Sequence, residues 1–198
     1  MKYSQVKRAA DCVLAAGGIF CLLPVLGGAA LICARSGEGI FYRQKRIGQG
    51  GKPFIVYKFR TMRRVAPVLP REELADPQRY YIPGGAFLRS TGMDELPQLW
   101  NVLRGEMSLI GPRPLLPAEQ EMHRRRTQQG IYSLRPGITG LAQLCGDPPS
   151  QIKASLDGLY LENLSPWLDV AIVLSTVALL WKRHGKEEKI VNSNDMKK

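Results

Sequence analysis

Apolar residues fall unevenly along this chain. The stretch from Cys12 to Ala34, CVLAAGGIFCLLPVLGGAALICA, carries no charge. As a continuous helix it would extend roughly 34 Å, enough to cross a bilayer core. Pro24 sits in its middle, between Gly17-Gly18 and Gly27-Gly28. A proline there removes one helical hydrogen bond and crowds the preceding turn, so a bend is expected at Pro24. Lys2, Lys7 and Arg8 precede the run, and Arg35, Arg43, Lys45 and Arg46 follow it. Basic flanks on both sides place both ends in the cytosol by the positive-inside rule. A helix that enters the membrane, breaks and returns satisfies these features, and a kinked single span fits the apolar length equally well. A cleaved signal peptide is disfavoured because the run continues into Arg35 without an export pattern.

Beyond the anchor the pattern changes. Ile40-Phe41-Tyr42 and Phe54-Ile55-Val56-Tyr57 predict two short strands joined around Gly48-Gln49-Gly50-Gly51. From about Val65 to Tyr81 prolines and charges alternate without a period, which predicts a loop with one short helix. Apolar positions 96, 99, 100 and 103 form a helical stripe that Gly105 ends. The fold class expected is α+β and mainly helical: a re-entrant membrane helix, a short β-hairpin, and interfacial amphipathic helices around a compact catalytic domain. The corresponding divisions are an anchor over 1–36, a cytosol-facing domain over 37–185 and a polar tail over 186–198.

Composition narrows the partners. With 198 residues and 44% hydrophobic content, the chain can bury one real core. Its net charge of +11, from 28 Lys and Arg against 17 acids, points to nucleic acid, anionic lipid or phosphorylated substrates. The basic stretch between Arg35 and Arg64, opposed only by Glu38, adjoins the apolar anchor, where lipid phosphates are in reach. No nucleic-acid-binding motif or aromatic stacking surface accompanies it. Cys12, Cys21, Cys33 and Cys145 show no metal or disulfide spacing, and reduced thiols facing the cytosol are expected. His123 and His184 stand among charged residues and read as solvated side chains, not zinc ligands.

Candidate chemistry concentrates at Asp94-Glu95, in the first turn of the predicted helix. Pro97 is tolerated only in that turn, which sets the helix start close to Met93. The helix dipole favours ionised carboxylates there, suiting an attacking oxygen or a magnesium ligand, although ordinary helix-start chemistry also places acids in first turns. In Gly111-Pro112-Arg113-Pro114 two prolines stiffen the backbone around a guanidinium fit for bidentate phosphate contacts. Arg135-Pro136-Gly137-Ile138-Thr139-Gly140 is a second rigid turn carrying an Arg. Either turn taken alone is also compatible with a purely structural role.

Five blocks in order resemble the small monotopic phosphoglycosyl transferases of the bacterial sugar transferase family, from about Lys7 to Lys182. They are Arg43-Gln44-Lys45-Arg46-Ile47-Gly48, Tyr57-Lys58-Phe59-Arg60-Thr61-Met62, Asp94-Glu95-Leu96-Pro97-Gln98-Leu99, Met107-Ser108-Leu109-Ile110-Gly111-Pro112-Arg113-Pro114 and the Arg135–Gly140 turn. The resemblance implies Asp94 as nucleophile on the β-phosphate of a UDP-sugar, Glu95 as its acid/base partner, and Mg²⁺ as cofactor with Asp94 as a ligand. It implies active-site roles for Arg89 and Arg113 and a basic position beside them at Lys58; these and Arg135 are the expected phosphate-binding residues. It also favours the re-entrant form of the anchor.

Two departures stand out. Leu23 precedes Pro24 where the family usually has Ser, and Leu141–Asp147 lacks the Trp, Asn and Arg usual in that loop; a different sugar or nucleotide preference would follow if the loop selects them.

The implied reaction transfers a sugar 1-phosphate from a UDP-sugar to polyprenyl (undecaprenyl) phosphate and releases UMP. Its setting would be the cytosolic face of the bacterial inner membrane, at the first membrane step of glycan assembly. The expected partners are the UDP-sugar, polyprenyl phosphate, membrane lipid and downstream glycosyltransferases, with no nucleic acid. A membrane-tethered binding or scaffold protein without catalysis is the competing reading.

Overall fold

The computed structural model describes residues 3–67, 77–146 and 148–195, with side chains through Trp181. Lys2, residues 68–76 of the expected loop, Asp147, and the side chain of His184 lie outside the described residues.

The apolar run folds as two helices, α1 (Tyr3–Cys21) and α2 (Leu23–Arg35), bent by 67°. The break is at Leu22, with φ −95° and ψ 9°. Pro24 occupies the first turn of α2, where its missing N–H costs nothing. The bend therefore falls two residues upstream of the proline that prevents the helix from continuing. No single helix among the described residues is long and apolar enough to cross a membrane, whereas this bent pair passes that test by length and composition. Small residues line the inner side. Ala15 packs with Val56, Leu99, Val102 and Met107, and Ala29 and Cys33 pack with Phe59, Ile82 and Leu88. Val13, Leu14, Phe20, Leu23 and Leu31 point outward.

Strands β1 (Phe41–Ile47) and β2 (Pro53–Phe59) form the expected antiparallel hairpin, longer than the apolar residues alone suggested. Its turn uses Gly50 and Gly51 at φ 68° and 73°, a region L side chains avoid. The free edge of β2 is satisfied by one buried amide. Asn101 accepts from Tyr57 N (3.1 Å) and donates to Ile55 O (2.7 Å), standing in for a third strand. Asn101 belongs to α4 (Gln98–Leu103), which follows α3 (Gly85–Ser90).

A second sheet was not foreseen. β3 (Ser108–Ile110) and β4 (Gly137–Thr139) pair in parallel, bringing the GPRP and RPGITG motifs side by side. Their glycines permit it: a Cβ on Gly137 would lie 2.1 Å from Gly111 N. Around this pair lie α5 (Gln120–Gln128), α6 (Leu141–Leu144) and α7 (Ser150–Glu162). The last helix, α8 (Pro166–Asp195), continues in helical backbone through most of the polar stretch. It buries Ile172 and exposes Trp167, Val170, Leu174, Val177 and Trp181.

Buried acids join these parts. Asp169 accepts from Tyr3 Oη (2.7 Å), Lys7 Nζ (2.7 Å) and Tyr160 Oη (2.6 Å), tying the start of α1 to α7 and α8. Asp11 accepts from Ser108 Oγ and Leu109 N. Asp157 takes two bonds from Arg126, whose third donor reaches Arg113 O at 2.7 Å. His123 corrects the expectation of a solvated side chain: it is partly buried, bonded to Tyr132 Oη and to Leu116 O.

Candidate active site

The single helix expected from Met93 is two pieces. Met93–Glu95 forms a 3₁₀ turn, entered through Gly92 at φ 73°, and α4 begins after Pro97. The proline lacks the N–H an unbroken helix would need at that point, so the acids occupy a tight turn of their own. In such a turn successive side chains diverge by about 120°. Asp94 turns inward and is 8% exposed, while Glu95 remains half-buried.

Their electrostatic settings differ accordingly. Burial, then the neighbouring charge of Glu95, pushes the Asp94 carboxyl up to about 6, against the pull of Lys58 and Arg89. Burial acts on Glu95 in the same sense, but Lys58, donating at 2.5 Å, and the charge of Arg113 outweigh it and hold that carboxyl below its ordinary value. The buried Gln98 side chain lies next to Glu95 and acts in the same direction.

Five predicted residues come together at this turn. Lys58 rises from β2 to Glu95. Arg89, at the end of α3, lies over the Tyr81 ring at 5.6 Å and donates to Met62 Sδ. Its charge reaches Asp94. Arg113 is exposed between its two prolines and acts on Glu95. Asp94 and Glu95 complete the group. Arg135 is placed elsewhere: its Nε donates to Gly105 O (3.0 Å), and it lines a cleft with Lys7, Arg8 and Ser108. Arg8 donates to Val102 O and Leu103 O at the end of the helix that follows the acidic turn, and Arg135 holds Gly105 O two residues beyond it. Pro24 lies in the first turn of α2.

Sequence reasoning did not assign Asn101, Gln98 or Arg46. Asn101 and Gln98 lie in or beside the apolar stripe, where a polar side chain that ends fully buried was the available signal.

Among the described residues no three His, Cys, Asp or Glu side chains converge as a metal cage. Magnesium commonly takes one or two protein carboxylates and completes its shell with water and substrate phosphates. An acidic turn with Lys58, Arg89 and Arg113 at its rim fits that mode.

The structure thus gathers an acidic pair and three cations, Lys58, Arg89 and Arg113, at one turn. The bacterial sugar transferase family model matches residues 2–183, and the chain belongs to that family. It is 37% identical to the UDP-galactose-lipid carrier transferase of Erwinia amylovora, over 91% of this chain and 41% of that protein. It is 38% identical to the UDP-glucose:undecaprenyl-phosphate glucose-1-phosphate transferase of Escherichia coli, over 87% of this chain and 39% of that one. The protein with the same printed name in Caulobacter vibrioides is 39% identical, over 88% of this chain and 69% of that one. The chain thus spans about two fifths of the first two relatives and about two thirds of the third.

Proposed function

We propose that this protein transfers a sugar 1-phosphate from a UDP-sugar to polyprenyl phosphate, releasing UMP, at the cytosolic face of a bacterial inner membrane. The reading rests above all on the buried Asp94 carboxylate, raised to about 6 beside a Glu95–Lys58 pair. Names of relatives that act on UDP-sugars and undecaprenyl phosphate agree with it.

A carboxyl near 6 is mostly ionised at neutral pH yet more basic than a free aspartate, a favourable balance for an attacking oxygen. Asp94 attacks the β-phosphorus of the donor, an oxygen–phosphorus bond forms as the bond to UMP breaks, and a sugar-phosphoryl aspartate results. The phosphate oxygen of the lipid then attacks the same phosphorus and restores the Asp94 carboxylate. Splitting the transfer lets two large phosphorylated substrates react in turn.

Glu95, held ionised by Lys58, keeps that ammonium at the rim of the site. Lys58, Arg89 and Arg113 offset charge on the phosphoryl oxygens. Mg²⁺, held by Asp94 and the substrate phosphates, would supply further charge neutralisation.

The bent α1–α2 pair enters and leaves the membrane on one side, with the apolar face of α8 lying at the interface. The lipid phosphate then meets a water-soluble donor at the acidic turn. A UMP-release assay with UDP-sugars, polyprenyl phosphate and Mg²⁺ tests the reading. UMP release dependent on a UDP-sugar is expected, and no release with any donor would refute it.

A further inference from the structure

The Arg43–Gly48 block has no role in the transfer as described, yet one of its residues faces the site. Along β1 the side chains alternate, and Tyr42, Gln44 and Arg46 fall in register with Lys58, Val56 and Phe54 of β2. The row that carries Lys58 to Glu95 therefore carries Arg46 as well.

Arg46 Nη1 donates to Pro114 O at 3.0 Å, which places its guanidinium beside the rigid turn that presents Arg113. Its Nη2 donates to Gln44 Oε1 at 2.6 Å. Neither Arg46 nor Arg113 is paired with a carboxylate among the described residues. Two guanidinium groups drawn together with no carboxylate in contact repel each other; the charges of Glu119 and Glu95 offset this only from a distance, and partial burial makes the arrangement more costly. The strain is visible in Arg46, whose pKa is lowered by burial and then by the charge of Arg113. Contrast Arg126, which is buried against Asp157 at 2.7 Å and fully compensated. Holding Pro114 O would require only a neutral donor. An uncompensated charge at the rim of a phosphate site is what a bound anion would neutralise, and planar guanidinium pairs suit phosphate oxygens.

We propose that Arg46 and Arg113 form a phosphate cradle on the Glu95 side of the acidic turn, with Gln44 fixing the Arg46 guanidinium. Its ligand is a phosphate of one of the two phosphorylated substrates, and the proposal rests on the function above. Donor pyrophosphate and lipid phosphate share the chemistry and are separable by experiment.

In the full-length protein in detergent, phenylglyoxal modification of Arg46 can be followed by peptide mass spectrometry with UDP or with a polyprenyl phosphate. At least a tenfold slowing by one ligand is expected. Protection by UDP assigns the cradle to the donor, and protection by polyprenyl phosphate assigns it to the acceptor. Arg46→Gln keeps a donor for Pro114 O and should raise the KM for the same substrate by about tenfold, the scale of one lost charge-assisted hydrogen bond.

Labelling as fast with either ligand as without any overturns the proposal, and so do both KM values within twofold of the wild type. Because the labelling uses the unmodified chain, a poorly folded variant does not decide the matter. Wild-type UMP release without protection sinks the cradle alone; protection without UMP release by the wild type sinks the transferase reading instead.

Discussion

Two groups of buried acids in this molecule are treated in opposite ways. Asp11, Asp157 and Asp169 are each satisfied by two or more donors: hydroxyls, a backbone N–H, a lysine and an arginine. Asp94 is buried to a similar degree; burial raises its carboxyl as it raises that of Asp157, but at Asp94 the charge of Glu95 adds to burial, whereas at Asp157 the directly bonded Arg126 opposes it. Satisfied acids spend their hydrogen-bonding capacity on fixing α1, α5, α7 and α8 around the core. The acid in the 3₁₀ turn keeps its capacity for something outside the chain. Positive charge shows the same division, since Arg126 contacts a carboxylate while Arg46 and Arg113 contact none among the described residues. Incomplete compensation at a buried position is therefore the physical mark that separates the candidate site from the scaffold.

Substitution should break the two groups differently. Asp94→Asn should lower UMP release by a thousandfold or more, on the order of what removing a covalent nucleophile costs. The same variant should be more stable at neutral pH. A carboxyl whose pKa is raised on folding stabilises the folded state only while protonated. That contribution is present at low pH and is lost as pH rises from about 4 through about 6. Removing the charge should recover about 1–3 kcal/mol, read from chemical denaturation at pH 7.5 against pH 4.5. Loss of activity without loss of stability is the signature of a site residue.

Asp157→Ala should do the reverse, costing about 3–5 kcal/mol because Arg126 would be left buried and unpaired. The loss should appear in the denaturation midpoint, with a further fall in turnover because Arg126 also holds the Arg113 carbonyl. The pH profile sharpens the comparison further. In the proposed mechanism the ionised Asp94 attacks, so kcat/KM should decline about tenfold per unit as pH falls below about 6. A profile flat from pH 7 to pH 5 would remove Asp94 from the rate-determining chemistry. The smallest effect is expected at Pro24→Ala, which restores one backbone donor at the start of α2. Cysteine-accessibility labelling in cells should then find a measurable fraction of chains with Gly37 and the N-terminus on opposite faces.

Much of the site was legible in the sequence because its residues lie in short, rigid blocks. Pro97 restricts where a helix can start, Pro112 and Pro114 confine Arg113, and Gly50-Gly51 closes the hairpin. Local chemistry decides each of these. What escaped depends on pairings between distant residues. Asp169 meets Lys7 across 162 positions and Asp11 meets Ser108 across 97, and no local pattern in α1 or α8 marks those acids as anchors. Arg135 sits in a turn as stiff as that of Arg113, yet tertiary packing sends it to Gly105 O with Arg8 rather than to the acidic turn. The parallel β3–β4 pair was hidden because each strand is only three residues long.

The claim that Asp94 receives the phosphoryl group is tested most directly by intact-protein and peptide mass spectrometry after brief incubation with a UDP-sugar and Mg²⁺ but no lipid acceptor. The account predicts a mass gain of one sugar phosphate on the peptide containing Asp94, absent from Asp94→Asn and discharged on adding polyprenyl phosphate. UMP release in the presence of both substrates with no adduct on quenched, acid-trapped protein, or an adduct on a different residue, would contradict it.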